Sequence, residues 1–143
     1  MSLFHLKEWW GTRVGQGEEF DIGGLVVGNI DNANPAADKI AVGSLSGIVR
    51  IFHPTQNSYS VTDFVYEEDL GEPILQLLLG RFIPSSASTL ALAVLHPRRL
   101  TIYELFVRKN GTTKIYKLDK AYSHALGVDG KHFSAFNMTS GTF

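Results

Sequence analysis

The side chains that could do chemistry concentrate in one loop, Asn29-Ile30-Asp31-Asn32-Ala33-Asn34-Pro35-Ala36-Ala37-Asp38, which runs into the apolar stretch Ile40-Ala41-Val42-Gly43. Carboxylates and amides just ahead of a strand are the materials of a calcium site, since the cation asks for about six to eight oxygens around a Gly-assisted turn. Asp31 and Asp38 are the candidate ligands. Ala33 stands where a further carboxylate is wanted and no Gly follows it. The expected use of both acids is therefore hydrogen bonding to loop backbone, as in Asx turns, with calcium as the alternative. The corresponding later loop, Ile83-Pro84-Ser85-Ser86-Ala87-Ser88, carries no acid.

Other groupings dissolve on inspection. His5, His53, His96, His124 and His132 show no zinc-site spacing, and the absence of cysteine removes the common structural zinc modules and all thiol chemistry. His53-Pro54 and His96-Pro97 read as strand ends, because Pro stops ladder pairing. Gly43-Ser44-Leu45-Ser46-Gly47 has the outline of a nucleophile elbow with Leu45 where the nucleophile belongs. Gly15-Gln16-Gly17 starts like a dinucleotide fingerprint and reaches Phe20 in place of the third Gly. Glu18-Glu19 and Glu67-Glu68-Asp69 are expected on solvated faces. No catalytic set, metal centre or cofactor site is expected, and the chain reads as a non-enzyme. Trp9 and Trp10 remain. With Leu3, Phe4 and Leu6 they put more apolar area in one short segment than a surface usually exposes, so a short helix or irregular clasp should dock them, closing the fold or meeting a partner.

The elements that must position these residues repeat. Gly24 to Phe52 returns as Ile74 to Phe106, with Val27-Gly28-Asn29-Ile30 falling on Leu79-Gly80-Arg81-Phe82 and Val49-Arg50-Ile51-Phe52 on Leu100-Thr101-Ile102-Tyr103. The period of about fifty residues is that of a propeller blade. In the first repeat, strands are predicted near Gly24–Ile30, Lys39–Ser44, Gly47–His53 and Val61–Tyr66. In the second they fall near Ile74–Phe82, Thr89–Leu95, Arg99–Val107 and Thr113–Asp119, with Asn110-Gly111 a tight turn. Phe136-Asn137-Met138-Thr139-Ser140-Gly141-Thr142-Phe143 starts the unit again.

The expected fold is all-β, an incomplete β-propeller of two four-stranded antiparallel blades plus the first strand of a third. Residues 1–23 form an N-terminal clasp, 24–70 the first blade, 71–130 the second blade and its link, and 131–143 the opening strand of the third. Runs such as Leu25-Val26-Val27 and Ile40-Ala41-Val42 predict inner strands packed on both faces, with Val42 among Ile40, Ile51 and the neighbouring blade. A ring needs about four to eight blades, so 143 residues are expected to be a piece of a longer protein that self-associates when alone.

Composition limits the partners. A net charge of -1 lacks the cationic field that nucleic-acid binding draws on. Ile74 to Leu79 is far too short to span a bilayer, and no signal peptide is expected at the N-terminus. Asn110-Gly111-Thr112 and Asn137-Met138-Thr139 match a glycosylation sequon that recurs often by chance.

Met1-Ser2-Leu3-Phe4 with Trp9-Trp10, Glu19-Phe20-Asp21, Asn29-Ile30-Asp31-Asn32, Asp38-Lys39-Ile40, Val42-Gly43-Ser44, Arg50-Ile51-Phe52, Leu92-Ala93-Val94-Leu95-His96 and Asn137-Met138-Thr139 occur in an order that resembles the start of the Bardet-Biedl syndrome 9 protein family. The resemblance runs over essentially the whole chain and departs in the loops Thr55 to Asp63 and Arg108 to Lys131. It implies the beginning of an N-terminal β-propeller in a scaffold subunit of the BBSome, the coat-like complex that moves membrane proteins into and out of cilia. The partners so implied are other BBSome subunits, with membrane contact only indirect through the complex. The implied locations are cytoplasm, cilium, basal body and centriolar satellites. The alternative is a metal- or ligand-binding propeller of integrin or lectin type, which acidic loops repeated in every blade would favour.

Overall fold

The computed structural model describes residues 3–127 and 134–141. Two four-stranded antiparallel sheets account for nearly all of the regular structure, and both are open, with no closed barrel. The first holds β1 (Leu25–Gly28), β2 (Lys39–Gly43), β3 (Ile48–Phe52) and β4 (Phe64–Asp69) in chain order. The second holds β5 (Gln76–Gly80), β6 (Ala91–His96), β7 (Arg99–Asn110) and β8 (Thr113–Ala125), again in chain order. Each unit of the fifty-residue repeat is thus one blade of an incomplete propeller. Val27 and Gly28 near the end of β1 correspond to Leu79 and Gly80 at the end of β5, as the repeat predicts. Among the described residues no helix is long and apolar enough to cross a membrane.

Strand alternation sorts the side chains into two faces per blade. On one face of the first sheet the register lines up Val26, Ala41, Ile51 and Tyr66. That face packs on Leu77, Leu79, Leu92, Val94, Tyr103, Leu105, Tyr116 and Leu118 of the second blade, and this seam is the main core. The inner strands approach closely there. A Cβ on Gly43 would lie 2.5 Å from Ile74 Cγ2, and one on Gly28 would lie 2.8 Å from Leu79 Cδ1, so glycine at both positions lets the blades close. A parallel bridge between Gly23 and Gln76 also joins the blades.

Several expectations change. Val61–Asp63 forms a single 3-10 turn, and β4 starts at Phe64 because Pro54 and the following polar loop delay the return of the chain. β8 continues to Ala125, six residues past the predicted Asp119 and into the expected link, because β7 gives it ladder partners as far as Arg99. The turn joining them is Gly111-Thr112, with the positive φ on Gly111 alone. Val42 lies opposite Leu25 and Arg50, on the face away from Ile51, so it does not pack at the seam. The predicted opening strand of a third blade is not formed among residues 134–141, where no ladder partner is present; Lys131, His132, Phe133, Thr142 and Phe143 lie outside the described residues.

Residues 134–141 nevertheless have a defined course. The Gln76 side chain imitates a ladder pair: its Oε1 accepts from Met138 N at 2.7 Å and its Nε2 donates to Met138 O at 3.1 Å. Ala135 N donates to Pro97 O at 2.8 Å. Met138 thereby joins Leu78, Phe82, Leu100 and Ile102 over Ala91 and Ala93, a second small core on the far face of the second blade.

Candidate functional site

The loop between β1 and β2 is built around Asn29. Its Oδ1 accepts from Ala33 N and Ala37 N while its Nδ2 donates to Ala33 O, so one amide closes the loop on itself. Asn32, in the left-handed region at φ 54, points out of the loop. Its amide bonds both main-chain groups of Leu90, receiving from N at 2.7 Å and donating to O at 3.0 Å. The loop is therefore a clamp between blades.

Asp31 and Asp38, the candidate calcium ligands, are not brought together. Asp38 is exposed. Asp31 lies 2.7 Å from Lys39 Nζ, with the side chains only 6% and 2% accessible, and Lys39 Nζ also donates to Ala37 O at 3.0 Å. Asp31 Oδ1 meets the ammonium off the hydrogen-bonding direction, so the contact is an ion pair rather than a directed bond. The expected bonding of Asp31 to loop backbone gives way to this pair, because a buried ammonium needs a counter-charge more than the loop needs another acceptor. A divalent cation would have to displace Lys39. Among the described residues no three histidine, aspartate or glutamate side chains gather as a metal site.

The clasp is irregular, with no helix. Trp10 is half-buried against the outer edge of the first blade, edge-on to Phe52 at 5.9 Å and to Tyr59 at 5.8 Å between centroids. Its Nε1 donates to Asp63 Oδ2 at 2.8 Å. Asp63 is fully buried and also accepts from Ser60 N and Thr55 Oγ1. The Trp10 bond, then those from Ser60 and Thr55, hold its carboxyl below the usual aspartate value against the opposing effect of burial. Trp9 remains 55% accessible, and only its backbone is engaged, accepting from Ser58 N. Adjacent tryptophans thus have opposite fates. Leu3, Phe4 and Leu6 ahead of them are exposed.

Later in the clasp, Glu18 returns to the sheet. Its two oxygens take Arg50 Nη2 and Ser44 Oγ, each at 2.7 Å, while Arg50 Nε bonds Glu67 at 2.7 Å. The Arg50 bond is the main reason that the Glu18 carboxyl is held below its ordinary value. Glu18 and Glu67 bracket Arg50 on the first blade; Glu67 stays on a solvated face, as expected, whereas Glu18 is largely covered. Sequence reasoning missed this network and the burial of Lys39. A lysine or arginine inside an apolar strand was the available signal, since such a cation must find an acid when the strand is covered.

His96 is buried, and its Nδ1 donates to the carbonyls of Pro73 at 2.9 Å and Glu72 at 3.2 Å, fastening the link between blades. His53 is half-buried; burial first, then nearby Lys39 and Lys114, hold its imidazole below the ordinary histidine value. His5 and His124 are exposed. These arrangements brace strands and loops; nucleophile, base and oxyanion donors do not converge among the described residues.

Comparison with known proteins matches a family profile described as PTHB1 N-terminal over residues 1–143. The chain is 40% identical to Protein PTHB1 of Homo sapiens over 151 residues and 39% identical to Protein PTHB1 of Xenopus laevis over 153 residues, in each case across 100% of its own length. It spans 16% and 17% of those relatives' lengths. The family label drawn from the sequence, Bardet-Biedl syndrome 9 protein, is accordingly corrected to PTHB1, the description under which profile and relatives match; the two names denote one protein. With the profile covering the whole chain and the relatives agreeing with it, this chain belongs to the PTHB1 N-terminal family.

Proposed function

We propose that this chain is part of a non-enzymatic scaffold subunit of the BBSome, acting by protein–protein contact in traffic to and from the ciliary membrane. Its partners are other BBSome subunits, any membrane contact is made through the complex, and it works in the cytoplasm, cilium, basal body and centriolar satellites. The observation that carries this reading is an unfinished protein surface. The face of the first blade opposite the seam leaves Leu25 57% and Val27 56% accessible and buries Arg50 Nη1 without a partner among the described residues. Such a face suits further protein packing, and PTHB1 membership supports the choice of complex.

The test is affinity purification of the full-length protein from ciliated cells at matched expression. Wild type should bring down the other subunits. Ile51→Asp, which puts a carboxylate into the fully buried seam, should lose them, and Ser46→Ala in an exposed turn should keep them. Failure of wild type to recover any subunit, or a normal complement with Ile51→Asp, would sink the reading.

A further inference from the structure

β8 is the edge strand of the second blade, and its outer side is open where it faces the start of β4. Asn110 and Thr113 face each other across the two-residue turn, so Thr113 and every second residue after it bond inward to β7. Lys114, Tyr116 and Leu118 then present their main-chain groups outward. Leu118 fits this parity, since its N–H donates across to Tyr66 Oη of the first blade at 3.3 Å. That bond caps one outward position and leaves those of Lys114 and Tyr116 facing a cleft.

The cleft has a volume of about 400 Å³ and lies between the blades, lined by His53, Thr62, Phe64, Val65, Lys114 and Tyr116 among others. Phe64 and Val65 supply apolar wall; the hydroxyls, the imidazole and the ammonium supply donors. No carboxylate lines it. Lys109 stands directly across the strand pair from Lys114, and neither forms an ion pair among the described residues. The His53 imidazole is depressed mainly by burial, with Lys39 and Lys114 adding to the effect and Asp31 and Asp63 opposing it.

We propose that this cleft docks an acidic, extended protein segment, which adds to the β8 edge through its main chain and sets a carboxylate against Lys114 and the His53 ring. Strand addition supplies affinity from the backbone and selectivity from alternate side chains. A lipid surface fits less well. The turn at the ribbon's tip is polar, and Lys114 and Lys117 fall on opposite faces of the strand, whereas a membrane would need its cations in one plane. Edge lysines can also serve only to repel other strands, which predicts no binding at all.

The cleft is independent of complex membership, so binding by the purified chain can fail while the co-purification above succeeds, and the reverse. The probe is a fluorescent octapeptide of alternating valine and glutamate, followed by anisotropy with the full chain at low salt. Its counterparts are the lysine version, the same acidic peptide methylated on alternate main-chain nitrogens, and vesicles of one-third phosphatidylserine. The acidic peptide should bind and the lysine version should not. Lys114→Glu, at an exposed position that leaves the fold intact, should weaken binding about tenfold or more. Main-chain methylation should do the same, and Lys7→Glu, at a residue that does not line the cleft, should change nothing. Absent binding, equal binding by Lys114→Glu, indifference to methylation, or capture by vesicles with none by peptide would each overturn the proposal.

Discussion

The two faces of the first blade have similar apolar sequences and opposite environments. On the seam face, Ala41, Val49 and Ile51 are wholly inaccessible and Val26 packs against them. On the other, Leu25 and Val27 stand more than half exposed beside Val42 and Ile40, with the clasp covering only the Phe52 end and the Arg50 network the middle. Apolar content therefore marks where a sheet could pack. Whether it packs depends on what the rest of the molecule brings to each face.

Truncating one aliphatic side chain on each face should separate the two most clearly. Ile51→Ala should cost about 3 to 4 kcal/mol, because lost transfer energy and a residual cavity add at a site with no room to collapse. Val27→Ala should change stability by less than about 0.5 kcal/mol. Urea titration of both variants decides it, and equal losses would mean the open face is covered in solution.

The buried ion pair sharpens the same contrast with charge. Asp31→Ala leaves Lys39 desolvated and unpaired, a change that typically costs about 3 kcal/mol or more, whereas Asp31→Ala combined with Lys39→Met should recover most of it. Millimolar calcium should not raise the melting temperature relative to chelator, since the carboxylate is already engaged by Lys39. A calcium-dependent rise abolished by Asp31→Ala would restore the metal-binding alternative.

A smaller effect is expected at the clasp. Trp10→Ala removes two edge-on ring contacts and the bond to Asp63, and should cost about 2 kcal/mol, while Trp9→Ala should be nearly silent. Acid should weaken the same region. Asp63 and Glu18 have folded-state values below their ordinary ones, so their stabilisation is present above the ordinary carboxylate range and lost as pH falls through the depressed values. Depressed His53 acts in the same direction from below about 6.5. Melting temperatures from pH 7 to 3 should therefore fall, less steeply in Asp63→Asn than in wild type.

The open face should also make the isolated chain associate. Leu25→Lys with Val27→Lys should shift light scattering toward monomer without lowering the melting temperature, because neither side chain belongs to the core. A monodisperse wild-type monomer would contradict the expectation.

Strand order, hairpin links and the inward step of each blade were legible because alternation, Gly-bearing turns and a fifty-residue repeat are local properties of a chain. The ends of β4 and β8 were less legible, since ladder partners rather than propensity decide where a strand stops. Beyond reach were the pairing of Asp31 with Lys39, the bracketing of Arg50 by Glu18 and Glu67, and the docking of Trp10 but not Trp9. Each joins residues on different elements, and a charge or ring has no preferred partner until packing strips its water and leaves few candidates in range. Local pattern along the chain suffices for two repeated meanders with apolar faces; which face became the seam was settled in the folded molecule, because burial belongs to a pair of surfaces and not to either one.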